Sequence, residues 1–213
     1  YIIISTVFLI VIGVSIKEVK KIINSIVIFT IAILIVNGQG FVLNNVLSPK
    51  QKQRVETLIN PSSDPLGSGW NITQSKIAIG SGGFFGKGFL KGTQTGLNFV
   101  PIQSTDFIFS VIGEEFGYLG SMVFVILYLI FLYRILILSE YQKDKFARVF
   151  GYSTFSVFLF HFTVNVSMTL GLFPVIGIPL AFISYGGSSL LSFSLLLFVF
   201  LKLDSVKPSI LAR

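Results

Sequence analysis

Between Gln74 and Phe109 the chain carries seven glycines, three lysines and one carboxylate, Asp106, set just before a long apolar run. A carboxylate in that position can accept the proton of an attacking hydroxyl. Pro101 ends the preceding segment, and Ser104 or Thr105 supplies a helix cap, so the pattern places Asp106 in a first helical turn. There the positive end of the helix favours the ionised form. At 100° per residue, Gly113 and Gly117 fall within about 20° of Asp106, a small-residue track that lets another backbone come close. Two roles stay open on these grounds. Asp106 either complements its helix end or a loop lysine, or takes a proton in a reaction; one carboxylate does not name that reaction.

The glycines Gly80, Gly82, Gly83, Gly86 and Gly88 allow positive φ and close backbone approach. Successive N–H groups there can cradle an anion, and Lys76, Lys87 and Lys91 can add charge-assisted contacts to phosphate. No Lys-Ser or Lys-Thr follows a glycine at nucleotide-loop spacing, so this is not a P-loop. A tightly packed loop is the alternative. Further along, His161 and Asn165 are four residues apart with Thr154 on the same face, a pattern suited to hydrogen bonding inside a helix bundle. A lone histidine makes no metal site. The stretches 174–179 and 184–189 read as a helix stop, a tight turn and a serine cap for a last helix.

The elements that must position these residues are apolar spans. Of 213 residues 53% are hydrophobic and 12% charged, against roughly 25% charged in soluble domains, which points to an integral membrane protein. The net charge of +7 does not indicate nucleic acid, because the basic residues sit in short loops between spans. Without cysteine there is no disulfide framework or thiolate metal site. The first residue is Tyr1, with no methionine and no basic flank, as expected of a piece whose N-terminal part lies elsewhere. We expect an all-α polytopic bundle of five spans: Tyr1 to Ile16, Ile22 to about Leu47, Leu119 to Leu138, Phe150 to Phe173, and a last one with its apolar heart at 190–201 that must begin near Ile183. The chain is then one membrane domain, 1–213, with a long extracytoplasmic loop over 48–118 and the last three spans and a cytoplasmic tail over 119–213. Residues 49–65 read as turns, and 77–109 as apolar enough to lie against the bundle.

In order along the chain, Asp64-Pro65, Gln74-Ser75, the glycine segment, Thr105-Asp106-Phe107 and the string from Pro179 to Ser188 resemble the shape, elongation, division and sporulation (SEDS) family of bacterial cell-wall glycan polymerases. Gly86-Lys87-Gly88 and Gly92-Thr93-Gln94 are closer to its RodA branch than to its FtsW branch. Ser104 stands where the family commonly has His, and Ala181 where it has Pro. The family has about ten spans, so the resemblance implies roughly its C-terminal half. It also implies a peptidoglycan glycosyltransferase that polymerises lipid II at the outer face of the bacterial cytoplasmic membrane, with Asp106 catalytic. Its substrate-binding set would be Gln74, Ser75, Lys76, Gly82, Gly83, Lys87, Lys91, Ser184, Tyr185 and Gly186, with no metal held by side chains. Magnesium or manganese would enter, if at all, with the lipid diphosphate. Implied partners are a class B penicillin-binding protein transpeptidase and other membrane proteins of the elongation complex. A lipid II flippase and a non-catalytic scaffold for the transpeptidase are the rival functions for the same body.

Basic residues at 17–21, 139–149 and the tail place those segments in the cytoplasm, with 49–117 and 174–188 outside. Cysteines at Ser62, Ser139 and Ser205 test this topology in intact cells. An impermeant thiol reagent should reach Ser62 and neither of the others; outside labelling at Ser139 would contradict it.

Overall fold

The computed structural model describes residues 47–65, 67–97 and 99–205. The first two expected spans, the basic segment at 17–21 and residues 206–213 of the tail lie outside the described residues. The chain divides into two units between Gln53 and Arg54, and the second unit carries every candidate site residue. In order come α1 (Pro49–Ile59), a 3-10 turn (Pro61–Ser63), α2 (Ser68–Ser81), α3 (Ile108–Glu140), α4 (Lys145–Thr169) and α5 (Gly187–Ser205). The described residues are all helix, turn and loop. Three helices, α3, α4 and α5, are long and apolar enough to cross a membrane.

α1 replaces the turns expected over the first part of the long loop. Its start is a reciprocal capping box: the Ser48 N–H donates to the Gln51 side chain at 2.9 Å and the Gln51 N–H to the Ser48 hydroxyl at 3.4 Å. Pro49 takes the first helical position, where its missing donor is no loss. α2 begins with Asp64, whose carboxylate accepts from the Ser68 N–H at 2.9 Å, a favourable place for an anion.

α3 begins at Ile108, well before the expected Leu119, because it is two helical pieces joined at a break. Gly117 has φ 66 and ψ −162, a conformation open in practice only to glycine. The break frees two carbonyls before it and two N–H groups after it. Loop 83–88 takes all four. The Lys87 and Gly88 N–H groups donate to the Glu114 and Glu115 carbonyls at 3.0 and 2.9 Å, and the Gly83 and Phe84 carbonyls accept from the Tyr118 and Leu119 N–H groups at 2.9 and 3.1 Å. Such a repair is what non-helical backbone requires when water is scarce. It also demands closeness. A methyl on Gly117 would lie 2.3 Å from the Gly86 nitrogen, and one on Gly82 would lie 2.1 Å from the Gly113 oxygen. The glycine track read from sequence is therefore used, by α2 and the loop after it.

The main core lies among α3, α4 and α5: Tyr128, Leu132 and Ile135 against Phe158 and Phe162, with Phe193 and Phe200 closing it. Tyr128 and Phe162 stack with centroids 4.4 Å apart. Leu180 and Ala181 belong to the same core, at 1% and 0% exposure. The stretch 174–186 is thus not simply an outside turn; its middle enters the bundle. Accordingly α4 ends at Thr169 rather than Phe173, and α5 starts at Gly187 rather than near Ile183, reaching its length by continuing to Ser205. Ser139 is buried with its hydroxyl on the Ile135 carbonyl, so the exposed Tyr141 is the better labelling position for that loop.

Gly117→Ala should cost about 1–3 kcal/mol from backbone strain alone, with the clash on Gly86 added. Gly80→Ala, a helical position with open space around it, should be neutral or stabilising. Thermal unfolding of the two variants in detergent checks the contrast; equal melting temperatures would refute the repair role of the break.

Candidate functional site

The structure sorts the candidate residues into two clusters and a helix-end contact. The first cluster centres on Glu114, fully buried in α3. Its Oε1 accepts from Lys87 Nζ at 2.6 Å and from the Thr93 and Gln94 N–H groups at 2.8 Å each. Its Oε2 accepts from the Thr95 N–H and hydroxyl, both at 2.8 Å. Three successive N–H groups at 93–95 do form an anion cradle, and the protein's own carboxylate fills it. Gly92 allows that approach: a methyl there would lie 3.0 Å from Oε2. Lys87 also donates to the Ser81 and Thr93 hydroxyls at 2.7 Å each.

The cradle expected at the glycines is absent there, because the donors are spent. The Gly82, Gly83 and Gly86 N–H groups go to the Ile79, Gly80 and Gly82 carbonyls, and those of Lys87 and Gly88 go to α3. Gly82 and Gly83 serve the packing and mending of the helix break. Sequence patterning singled out the glycines and lysines but passed over Thr93, Thr95 and Glu114 as their organiser. The signal present was an acidic residue on an apolar helix, which has to find donors.

Gln74, Ser75 and Lys76 lie on α2 beside the end of α4. Ser75 is fully buried and donates to the Thr169 carbonyl at 2.8 Å. Gln74 is buried as well. Lys76 passes over Gly171, where a methyl would lie 2.6 Å from its Nζ; its charge suits the negative end of α4. Lys91 is exposed, its side chain folded near Gly88.

The second cluster centres on Asp106. It does not sit in a first helical turn, and neither Ser104 nor Thr105 caps α3, whose N-cap is Phe107 without a side-chain bond. Residues 101–107 form a tight turn instead. The Ile102 carbonyl accepts from the N–H groups of Thr105, Asp106 and Phe107, and Ile102 itself has φ 56, a costly conformation for a β-branched residue. Asp106 lies one residue before the Phe107 N-cap. Burial pushes its carboxyl above the ordinary value, with the Thr105 hydroxyl pulling the other way.

Three successive carbonyls of this turn are held from outside it. Ser104 O accepts from the Tyr185 N–H at 2.8 Å, Thr105 O from the Ser184 hydroxyl at 2.5 Å, and Asp106 O from the Asn165 amide at 2.9 Å. Three successive groups of the buried loop are held likewise. Ile178 O accepts from the same Asn165 amide at 2.8 Å, Pro179 O pairs with His161 Nδ1 at 2.9 Å, and the Leu180 N–H donates to Ser184 Oγ at 2.8 Å. The polar face of α4 thus bonds to loop backbone, not across to another helix, while Thr154 bonds back to its own Phe150 carbonyl. Ser184 is not a cap of α5; its hydroxyl is spent on this junction. Opposite the carboxylate, Gly177 has φ 73, and a methyl there would lie 3.3 Å from Asp106 Oδ2. A side chain at 177 would press on that oxygen, so glycine there leaves the carboxylate uncrowded. Tyr185 remains 79% exposed beside the turn, and Gly186 forms the start of α5, accepting from the Leu190 N–H.

A family model described as FTSW_RODA_SPOVE, cell cycle protein, matches residues 1–207. The chain is 49% identical over 145 residues to a protein named peptidoglycan glycosyltransferase RodA from Treponema pallidum, covering 68% of this chain and 34% of that protein. It is 46% identical over 141 residues to peptidoglycan glycosyltransferase MrdB from Escherichia coli K12, covering 66% and 38%. A solved chain described under "Structural coordination of polymerization and crosslinking by a peptidoglycan synthase complex" is similar at a TM-score of 0.64 and 26% identity, over 95% of this chain and 54% of that one. The chain spans little more than a third of the length of these two curated relatives.

Lys87→Met should destabilise the protein by on the order of 3 kcal/mol, since it leaves the buried Glu114 without its cation. Glu114→Gln should cost a comparable amount. The double variant should lose clearly less than the sum, as coupled neighbours do. Unfolding of the three variants checks this, and strict additivity would contradict the pairing.

Proposed function

Because the chain belongs to the FtsW/RodA/SpoVE family of cell cycle proteins, we propose that it is the catalytic part of a peptidoglycan glycosyltransferase that polymerises lipid II. The site lies at the outer face of the bacterial cytoplasmic membrane. The single observation that carries this reading is the Asp106 carboxyl: half-buried, raised by burial, and faced by a glycine whose missing side chain leaves it uncrowded. A base works best when its affinity for a proton is raised without being protonated at working pH.

The reaction is one inverting displacement. The acceptor sugar's 4-hydroxyl forms a bond to the donor anomeric carbon as the bond from that carbon to the lipid diphosphate breaks. The hydroxyl proton passes to Asp106, and the polyprenyl diphosphate leaves with the electron pair. A single displacement needs no second, nucleophilic carboxylate, and Glu114, saturated by five donors at 2.6–2.8 Å, is not built to be one. The leaving group is a stable anion that asks for positive charge rather than for a general acid. Lys76 and Lys91 are the cations we assign to it. Lys87 would have to leave Glu114 to take part. Magnesium or manganese would enter with the lipid diphosphate, as its counter-ion; among the described residues no three His, Asp or Glu side chains converge.

The similar solved complex joins polymerisation with crosslinking, which supports a class B penicillin-binding transpeptidase as partner. RodA and MrdB as relatives support the elongation machinery as the setting.

Asp106→Asn, in the protein at its natural full length, should lower polymerisation of labelled lipid II by roughly 10²–10⁴-fold. It should also keep or raise the melting temperature at neutral pH. The sign follows from linkage: a carboxyl whose folded pKa is raised is most stabilising when protonated at low pH, and that contribution is lost as pH rises through the folded value. Asn removes the buried charge. Near-normal polymerisation by this variant at saturating lipid II would overturn the assignment.

A further inference from the structure

We infer that Asn165 is the positioning residue for Asp106: its side-chain amide holds the Asp106 backbone in register with the buried loop, and so sets where the carboxylate lies. The inference rests on the catalytic reading of Asp106. Asn165 is fully buried on α4. Its one amide nitrogen donates to both Asp106 O, at 2.9 Å, and Ile178 O, at 2.8 Å. An NH2 group has two hydrogens, and both are used. The orientation of the amide follows from those partners, since turning it over would set an oxygen against two carbonyls. Its own oxygen, Oδ1, is buried without a partner among the described residues, a cost that persists because the two donated bonds outweigh it.

The consequence is geometric. Asp106 lies in a turn, not in a helix, so no helical ladder fixes its φ and ψ. One residue away Ser184 makes a parallel bridge, donating to Thr105 O and accepting from the Leu180 N–H. Of the groups that hold the turn from outside it, Asn165 is the one bonded to the backbone carbonyl of Asp106 itself. It is anchored on a spanning helix whose neighbours Phe162 and Met168 are in turn buried. A rigid anchor one residue from a base is what a pre-organised site requires, because an error of about 1 Å there can cost about 10²-fold in rate.

Polymerisation kinetics with purified full-length protein and labelled lipid II test this. Asn165→Ala should lower kcat about 10²-fold while KM for lipid II stays within about twofold. Asn165→Asp, the same shape with acceptors facing two carbonyls, should be at least as poor. His161→Phe removes a bond to the same loop, at Pro179, and no hydrogen bond to 101–107. It should share any loss of melting temperature yet keep kcat within about threefold. Should Asn165→Ala not be recovered folded, Asn165→Gln carries the same comparison, its amide displaced by one methylene. The inference is overturned if folded Asn165 variants keep kcat, if KM rises with kcat preserved, or if His161→Phe loses kcat equally. In each case an inactive Asp106→Asn would leave the base assignment standing. An active Asp106→Asn would instead remove the reading beneath it.

Discussion

The structure depends on one constraint: where water is scarce, every peptide N–H and C=O must find a partner within the protein. Helices meet it by themselves. Within the described residues the chain departs from helix at two places inside its bundle and satisfies each departure locally. At Gly117 the backbone of 83–88 takes up the four groups the break releases. At 178–180 three side chains, Asn165, His161 and Ser184, take up three successive peptide groups. Two of these three, Asn165 and Ser184, also hold the turn bearing Asp106. Bundle stability and the placement of the carboxyl are therefore served by the same few bonds.

Two carboxylates eight residues apart come to opposite ends. Glu114 is surrounded by donors and pinned to Lys87, a structural anion that locks the 93–95 loop onto α3. Asp106 has no lysine partner among the described residues; burial and the Thr105 hydroxyl act on its carboxyl, while Asn165 holds its backbone. Chemistry of this kind separates carboxyl groups by environment rather than by type. A carboxylate saturated with hydrogen bonds is a poor proton acceptor; one that is raised and accessible is a good one.

Much of this was legible in the sequence. The long apolar runs give α3, α4 and α5, and the order of short strings from Asp64-Pro65 to the Gly186 turn identifies the family. What was not legible has physical reasons. The capping box at Ser48 and Gln51 was written in the sequence, but α1 is mostly polar, and its three apolar residues, Val55, Leu58 and Ile59, are too few to mark a helix. Gly117 looked like a packing glycine and is a break, because the same residue type serves both uses. The entry of Leu180 and Ala181 into the core could not be read from a Gly/Pro-rich loop; only the otherwise unexplained polarity of His161 and Asn165 hinted that backbone would be lying against α4. Lys87 looked free to meet phosphate because its partner, Glu114, is 27 residues away in the chain.

The central claim is that Asp106, held outside any helix and raised by burial, is the proton acceptor. The pH dependence of single-turnover polymerisation at saturating lipid II tests it most directly. With Asp106 as the base, the rate falls on the acid side with a single midpoint above 3.8, the ordinary value for an aspartate, in protein shown to remain folded across the range. A rate that stays level down to that value, or an acid limb that tracks unfolding instead of titration, would contradict it.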